Sequence, residues 1–442
     1  MFRPVLLAAA LTAAVPAHAD AELDALRAEL KQLKDSYETR IQALEARLQA
    51  AETQTAAAPP AETTPASTAS FNPDISLILQ GRYAHLDDVG ERNISGFLPA
   101  GHDHGVPRGF SLDHTELVMS ASIDPYFRGY FNLALLDEEV GIEEAWVQTT
   151  RLGNGFSVKG GRFLSGLGYQ NEKHPHAWDF ADNSLMYRAL FGEAYGNDGV
   201  QLKWVAPTEL FVELGAEAGR GANFPGTDRN ANGAGSTTVF GHLGGDVGAS
   251  HSWRAGLSYL HAKATEREGE LDDVNDLAVD TLFTGTSSTW LADFVWKWAP
   301  DGNARERNFS LAAEYFLRKE RGSLCEHDPL NGGCAAGTGD AYRSRQSGFY
   351  AQGVYQFMPR WRTGYRYDRL DPGAVDFGLN GLNLAPPDYK PVRHSLMLDY
   401  SPSEFSRLRL QYSKDKSMAA LDENQWFVQY IHSLGAHGAH AF

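Results

Sequence analysis

From Ile75 onward, apolar and polar residues alternate with a period of two, and the alternating segments are joined by connections that are short and long in turn. Sixteen candidate strands follow: 75–84, 111–124, 126–136, 142–152, 155–164, 198–206, 208–218, 237–247, 251–262, 287–299, 308–319, 347–357, 359–370, 393–401, 405–415 and 424–434. Most are near the ~9–11 residues of a tilted strand that crosses a bilayer. Tight turns follow strands two, four, six, eight, twelve and fourteen, at Asp124-Pro125, Gly153-Asn154, Pro207, Gly248 to Ser250, Met358-Pro359 and Pro402 to Glu404. A somewhat longer turn follows the tenth, around Pro300 to Arg307. The connections after odd strands are long (85–110, 165–197, 219–236, 263–286, 320–346, 371–392), with only 137–141 short. A soluble sandwich has no such two-sided asymmetry; a membrane barrel has short turns at one end and long loops at the other. The even count puts both ends of the barrel on the turn side.

The stretch ahead of the barrel reads as three pieces. Residues 1–19 have one charge, Arg3, an apolar run from Pro4 to Val15, and the small-x-small sequence Ala17-His18-Ala19 of a cleavage site, which predicts a signal peptide. In residues 20–52, Leu23, Leu26, Leu30, Leu33 and Tyr37 follow 3-4-3-4 spacing, and Ile41, Leu44, Leu48 and Ala51 resume it after an extra four-residue step, a stutter. One chain cannot bury that seam against itself, so it predicts a coiled coil between copies; a lone amphipathic helix on a surface is the alternative. Residues 53–70, rich in Ala, Thr and Pro, have nothing to bury and predict a disordered linker. The barrel domain then spans 71–442. No later stretch reaches the ~20 apolar residues of a membrane helix. The fold class expected is therefore all-β, a 16-stranded antiparallel transmembrane β-barrel with an N-terminal α-helical coiled coil.

A net charge of −17 argues against nucleic acid as a partner, because phosphate binding needs clustered Lys and Arg. The two cysteines, Cys325 and Cys334, are expected to pair in an oxidising compartment and pin a small loop; free thiols or half a metal site are the alternative.

A barrel of ~16 strands is too wide for its own side chains to fill and leaves an aqueous channel. Inward positions should then be polar. Two sectors of opposite sign stand out: Glu209, Glu213 and Glu217 on one strand, and Arg362, Arg366, Arg407 and Arg409 on two strands separated by one other. Charged ladders of this kind select permeant ions, unless they merely solvate a wet wall. The 33-residue loop 165–197 holds Tyr169, Trp178, Phe180, Tyr187, Phe191 and Tyr195 beside Glu172, His174, His176, Asp179, Asp182, Arg188 and Glu193. So much apolar surface is costly in water, so the loop is expected to fold into the lumen and narrow it, the alternative being an outer lid or subunit contact. Folded inward, its carboxylates would face the arginine wall across a narrow aqueous gap. The clusters His102-Asp103-His104, His174-Pro175-His176 and His437 to His440 admit a metal reading, but their spacing is not specific, so the metal remains unknown. No Gly-x-Ser-x-Gly elbow, Walker loop or His-Glu-x-x-His is present, so no enzyme is expected, and no cofactor.

The order signal, coiled coil, Pro/Thr linker and barrel resembles bacterial porins of the phosphate-selective porin O and P type. The barrel itself is similar to a proteobacterial group carried under porin names or as zinc-regulated TonB-dependent outer membrane receptors. The resembling residues are Phe71 to Leu79, Arg108 to Leu112, Asp124 to Phe127, Gly161 to Gly166, His176 to Phe180, and the ending Gly435 to His440 with Phe442. The resemblance implies a trimeric outer-membrane β-barrel and leaves its solute open. Together these observations predict a water-filled channel in the bacterial outer membrane for passive diffusion of small hydrophilic solutes or ions. The coiled coil would lie in the periplasm and lipid would surround a homotrimer. The alternatives are a zinc or other divalent-metal uptake channel, or an envelope protein whose barrel is only an anchor.

Overall fold

The computed structural model describes Lys31 and residues 73–435 apart from 90–91, 98–105, 137–138 and 276. The expected signal peptide, coiled coil and linker, the His102 and His437 clusters, and Phe442 lie outside the described residues.

Seventeen strand segments follow in order: β1 (Asp74–His85), β2 (Gly109–Leu112), β3 (Thr115–Ser122), β4 (Phe127–Leu136), β5 (Glu139–Thr149), β6 (Phe156–Leu164), β7 (Gly196–Val205), β8 (Phe211–Gly219), β9 (Ser236–Val247), β10 (His251–Asp272), β11 (Ala278–Trp298), β12 (Asn308–Glu326), β13 (Asp340–Met358), β14 (Trp361–Asp376), β15 (Val392–Ser403), β16 (Ser406–Lys416) and β17 (Glu423–Gly435). Segments β2 and β3 both pair antiparallel with β1 and form one interrupted stave, so the barrel has the sixteen staves expected. It closes where β17 meets β1, with Ser76 opposite Gly435 and His85 opposite Trp426. Every neighbouring pair is antiparallel, so no sheet edge is left to satisfy.

The outward positions read as an apolar belt: Val200, Leu202, Leu243, Leu257, Trp290 and Leu398 are all exposed. Aromatic pairs bound it. At the turn end Trp296 meets Phe309 at 5.8 Å and Trp361 meets Tyr400 at 4.7 Å. At the loop end Tyr259 meets Trp290 at 4.7 Å and Tyr412 meets Trp426 at 4.8 Å.

The wall is uneven. Strands β10 and β11 run 22 and 21 residues, whereas β3 has 8 and β6 has 9. This corrects the loop assignments at 263–286 and 320–346, most of which are strand; the connections shrink to 273–277 and 327–339. The reason is physical. Beyond Trp290 the outward side chains of β11 become Ser288, Thr286 and Thr284, while those of β12 and β13 become Lys319, Arg321, Arg345 and Arg343. With the outward face polar the contrast between the two faces weakens, although the backbone ladder continues and the inner face still buries Ala264, Phe283, Leu324 and Tyr342. Cys325 near the end of β12 and Cys334 in the following tip are bridged, with Cα atoms 5.5 Å apart.

Candidate functional site: the loop-filled lumen

The residues between β6 and β7 turn inward and cross the lumen. Their chemistry explains why. Leu185 to Phe191 form a short helix, α1, whose first turn is capped by Ser184 accepting from the Tyr187 amide at 3.4 Å. Gly192 ends it at φ 81°, a conformation in which a Cβ would be strained. Six of the seven residues of α1 are buried. Leu185, Tyr187, Leu190 and Phe191 share one dry core with Leu260, Leu291, Phe316, Tyr350 and Leu370 of the tall wall. The barrel therefore has an apolar core inside its lumen, held by the loop.

Polar anchors surround that core and reach around the ring of strands. On β8, Glu217 accepts from Ser165 Oγ at 2.6 Å and from the Gly166 amide at 2.9 Å. On β10, Arg254 donates to the Gly168 carbonyl at 2.7 Å. On β12, Glu314 accepts from the Gln170 amide, from Tyr187 and, across the wall, from Tyr350 of β13, all within 2.7–2.8 Å. Across the lumen, Arg366 donates to Asp182 at 3.0 Å and to Asp368 at 2.9 Å. Arg393 also pairs with Asp182. Burial works against the charged form of Asp182, yet the Arg393 and Arg366 guanidinium groups hold its carboxyl well below the usual range.

The expected arginine ladder is thus on the inner wall, in direct contact with the loop. Arg362 contacts Asp179 at 3.1 Å and also pairs with Asp399. Arg409 holds Asp399 at 2.8 Å and the Trp178 carbonyl at 2.8 Å, and Arg407 reaches the same carbonyl at 3.3 Å. Of the glutamates, Glu213 pairs with Lys203 at 3.1 Å and His242 at 3.0 Å. Glu209 departs from the sequence reading: it is exposed in the turn between β7 and β8, because the strand starts only at Phe211. Glu172 is exposed on the loop, Glu193 lines a cavity at the mouth, and Arg188 borders a smaller one with Arg393 and Asp415.

The mouth cavity, about 380 Å³, lies on the low side of the barrel, lined among others by His114, Glu143, Lys173, His174 and Glu193. Beneath it the strand pairing is irregular. β4 and β5 slip register after Asn132, where Asn132 opposes Glu144 and Leu133 opposes Ile142, so Glu143 is an extra residue. Both consecutive glutamates thereby reach the interior. Glu143 Oε2 lies 3.1 Å from His174 Nδ1, and Glu144 Oε2 lies 3.7 Å from His174 Nε2. Glu116 Oε2 lies 3.8 Å from His174 Nδ1, its other oxygen 2.8 Å from His176 Nδ1. His114 pairs closely with Glu143. Burial opposes charge on His174, but hydrogen bonds to Glu143 and Glu144 outweigh it and raise its pKa well above the ordinary imidazole value. Sequence reasoning singled out His174 and His176 and missed their partners. His114, Glu116, Glu143 and Glu144 are far away in the chain, and only the interruption of the second stave and the bulge at Glu143 bring them together.

No family model matches the chain. It is 31% identical over 411 residues to an uncharacterized protein of Aquifex aeolicus strain VF5, covering 86% of this chain and 82% of that one. Among solved structures, the OmpT loop L8 deletion mutant, an outer membrane protein of Vibrio cholerae, matches at 12% identity and TM-score 0.49 over 82% of this chain and 99% of that one. Pseudomonas putida OprB matches at 14% and 0.48 over 82% and 94%. An anion-selective porin from Comamonas acidovorans matches at 12% and 0.46 over 82% and 99%. All three scores lie below one half, a remote likeness.

Proposed function

The chain belongs to one family with the uncharacterized Aquifex aeolicus protein, and we propose that it is an outer-membrane channel for passive diffusion of small hydrophilic solutes or ions, constricted by its own inward loop. The observation that carries this reading is the opposite character of the two wall faces. An apolar, aromatic-edged belt suits lipid on the outside. Inside, most positions facing the loop are polar or charged, which a barrel serving only as an anchor has no need of. In this reading residues 1–19 direct export, 20–52 form a periplasmic coiled coil, and three copies assemble. The loop's inward route makes Asp179, Asp182 and Glu193 part of the constriction.

The charge arrangement favours small polar solutes over anion selectivity such as the phosphate label of the resembling porins would imply. Arg362, Arg366, Arg393 and Arg409 each have an aspartate in direct contact, so the ladder presents little unbalanced positive charge. Liposome swelling tests the proposal. Vesicles holding the folded protein should swell in small neutral solutes, at rates that fall steeply with solute size. Swelling no faster than in protein-free vesicles for every solute would contradict it and favour the anchor.

A further inference from the structure

We propose that the mouth of the barrel holds a site for a divalent transition-metal ion of the zinc type, formed by His114, Glu116 and Glu143 of the wall and His174 of the loop. The site rests on its own geometry and does not depend on the channel reading. One donor atom from each of His114, Glu116 and Glu143 lies within 4.8 Å of the others. His174 Nδ1 is 3.1 Å from Glu143 and 3.8 Å from Glu116. Nitrogen and oxygen ligands at ~2.0–2.2 Å from a tetrahedral ion lie about 3.3–3.6 Å apart, so the three wall donors close by side-chain rotation and His174 swings in from the loop as the fourth.

Two further features point to a cation here. Elsewhere in the lumen, carboxylates such as Asp182, Asp399 and Glu320 are neutralised by arginine. The ion pairs described for Glu116, Glu143 and Glu144 are all to imidazoles, a mixed donor set suited to a borderline divalent ion. Fully buried Asn132 donates to Glu116 at 2.8 Å and to Glu143 at 3.1 Å, yet its Oδ1 has no hydrogen-bond partner. A half-turn of that amide delivers an oxygen to the same point, as a cation would require. His176 holds the far oxygen of Glu116 and orients it. The cavity above supplies the way in, and because His174 belongs to the loop, a bound ion pins the loop to the low wall.

The test is titration of the folded full chain in detergent with Co²⁺ and then Zn²⁺. One Co²⁺ per chain should bind with the absorption of a tetrahedral N/O site, and Zn²⁺ should displace it. His114→Ala together with His174→Ala should abolish that band, and near-isosteric Glu143→Gln should weaken binding by at least tenfold, with folding of each variant checked by its heat-dependent gel mobility. His251→Ala, outside the cluster, should bind as wild type. No tetrahedral band in wild type, or an undiminished band in folded Glu143→Gln and in the double variant, would overturn the site.

An independent observation carries a second inference, on the outer wall. Register places three rows one above another across β10 to β13. The first, Tyr259, Trp290, Leu317 and Ser347, ends the apolar belt. The next is His261, Ser288, Lys319 and Arg345, and the one above it Lys263, Thr286, Arg321 and Arg343, the last of which also faces the exposed Asp376 of β14. Lys319 thus stands directly opposite Arg345, and Arg321 opposite Arg343, like-charge pairs that destabilise a ladder unless an anion lies between them. All four are exposed on a chain of net charge −17. We infer that this band binds the phosphate of lipid headgroups at the rim of the belt, with Ser288 and Thr286 as hydroxyl donors. In mixed micelles, phosphatidic acid with brominated acyl chains should quench the tryptophan fluorescence more than brominated phosphatidylcholine, through Trp290 beneath the band. The preference should fall with salt and vanish when Lys319, Arg321, Arg343 and Arg345 are all changed to Gln. Equal quenching by both lipids in wild type, or a preference surviving the substitutions, would overturn it.

Discussion

Arg366 shows what a single residue does in this lumen. Its guanidinium is buried and shared between Asp182 of the loop and Asp368 of its own strand. Removing one partner of such a buried pair leaves uncompensated charge and costs about 3–5 kcal/mol. Here the cost falls on the loop, because the barrel's backbone ladder is intact without it. Arg366→Ala should therefore loosen the loop at Asp182, which Arg393 alone then pairs, and increase channel current, with little change in the barrel's heat-dependent gel mobility. Reversal of both Arg362 and Arg366 to Glu should in addition shift the reversal potential towards cation selectivity. If both variants conduct and select like wild type, the constriction lies elsewhere and these residues only solvate the wall. The ladder was legible in the sequence as a stripe of arginines. That the loop's carboxylates face it was legible too, but their direct contact with it was not, nor was the pairing with Asp399, which is opposite Arg362 only through strand register.

At the scale of elements, the alternation located each of the sixteen staves, and the short turns fixed their order. Two things escaped it. Strands β10 to β14 continue past the belt, where the outward residues turn polar, so their upper halves read as loop. The inner face was expected to be polar throughout, yet Leu291 and Val295 flank Asp293 on the inward side of β11, and Leu260 and Phe316 do likewise on their strands. Those residues were a readable sign that something apolar occupies the lumen. The disulfide is a device of the same scale. It ties the tip 327–339 to β12, so alkylation of denatured, unreduced protein should label no cysteine, and reduction should raise protease sensitivity at the tip while the barrel stays resistant. Labelling of both thiols would contradict the pairing.

For the whole molecule, the barrel's stability lies in its closed ladder and the function in what fills it. The apolar spacing from Leu23 to Ala51 is more than one chain can bury against itself, so we propose that the purified protein is a trimer that removal of residues 20–58 weakens. Sedimentation of wild type as a monomer in mild detergent would contradict this. We propose that the inward loop sets the size of the pore. Single-channel conductance in planar bilayers tests it most directly, comparing wild type with a variant in which residues 172–190 are replaced by a short Gly/Ser link. Wild type should give small, steady steps and the variant steps several-fold larger. Equal conductance in the two, or none in either, would contradict it.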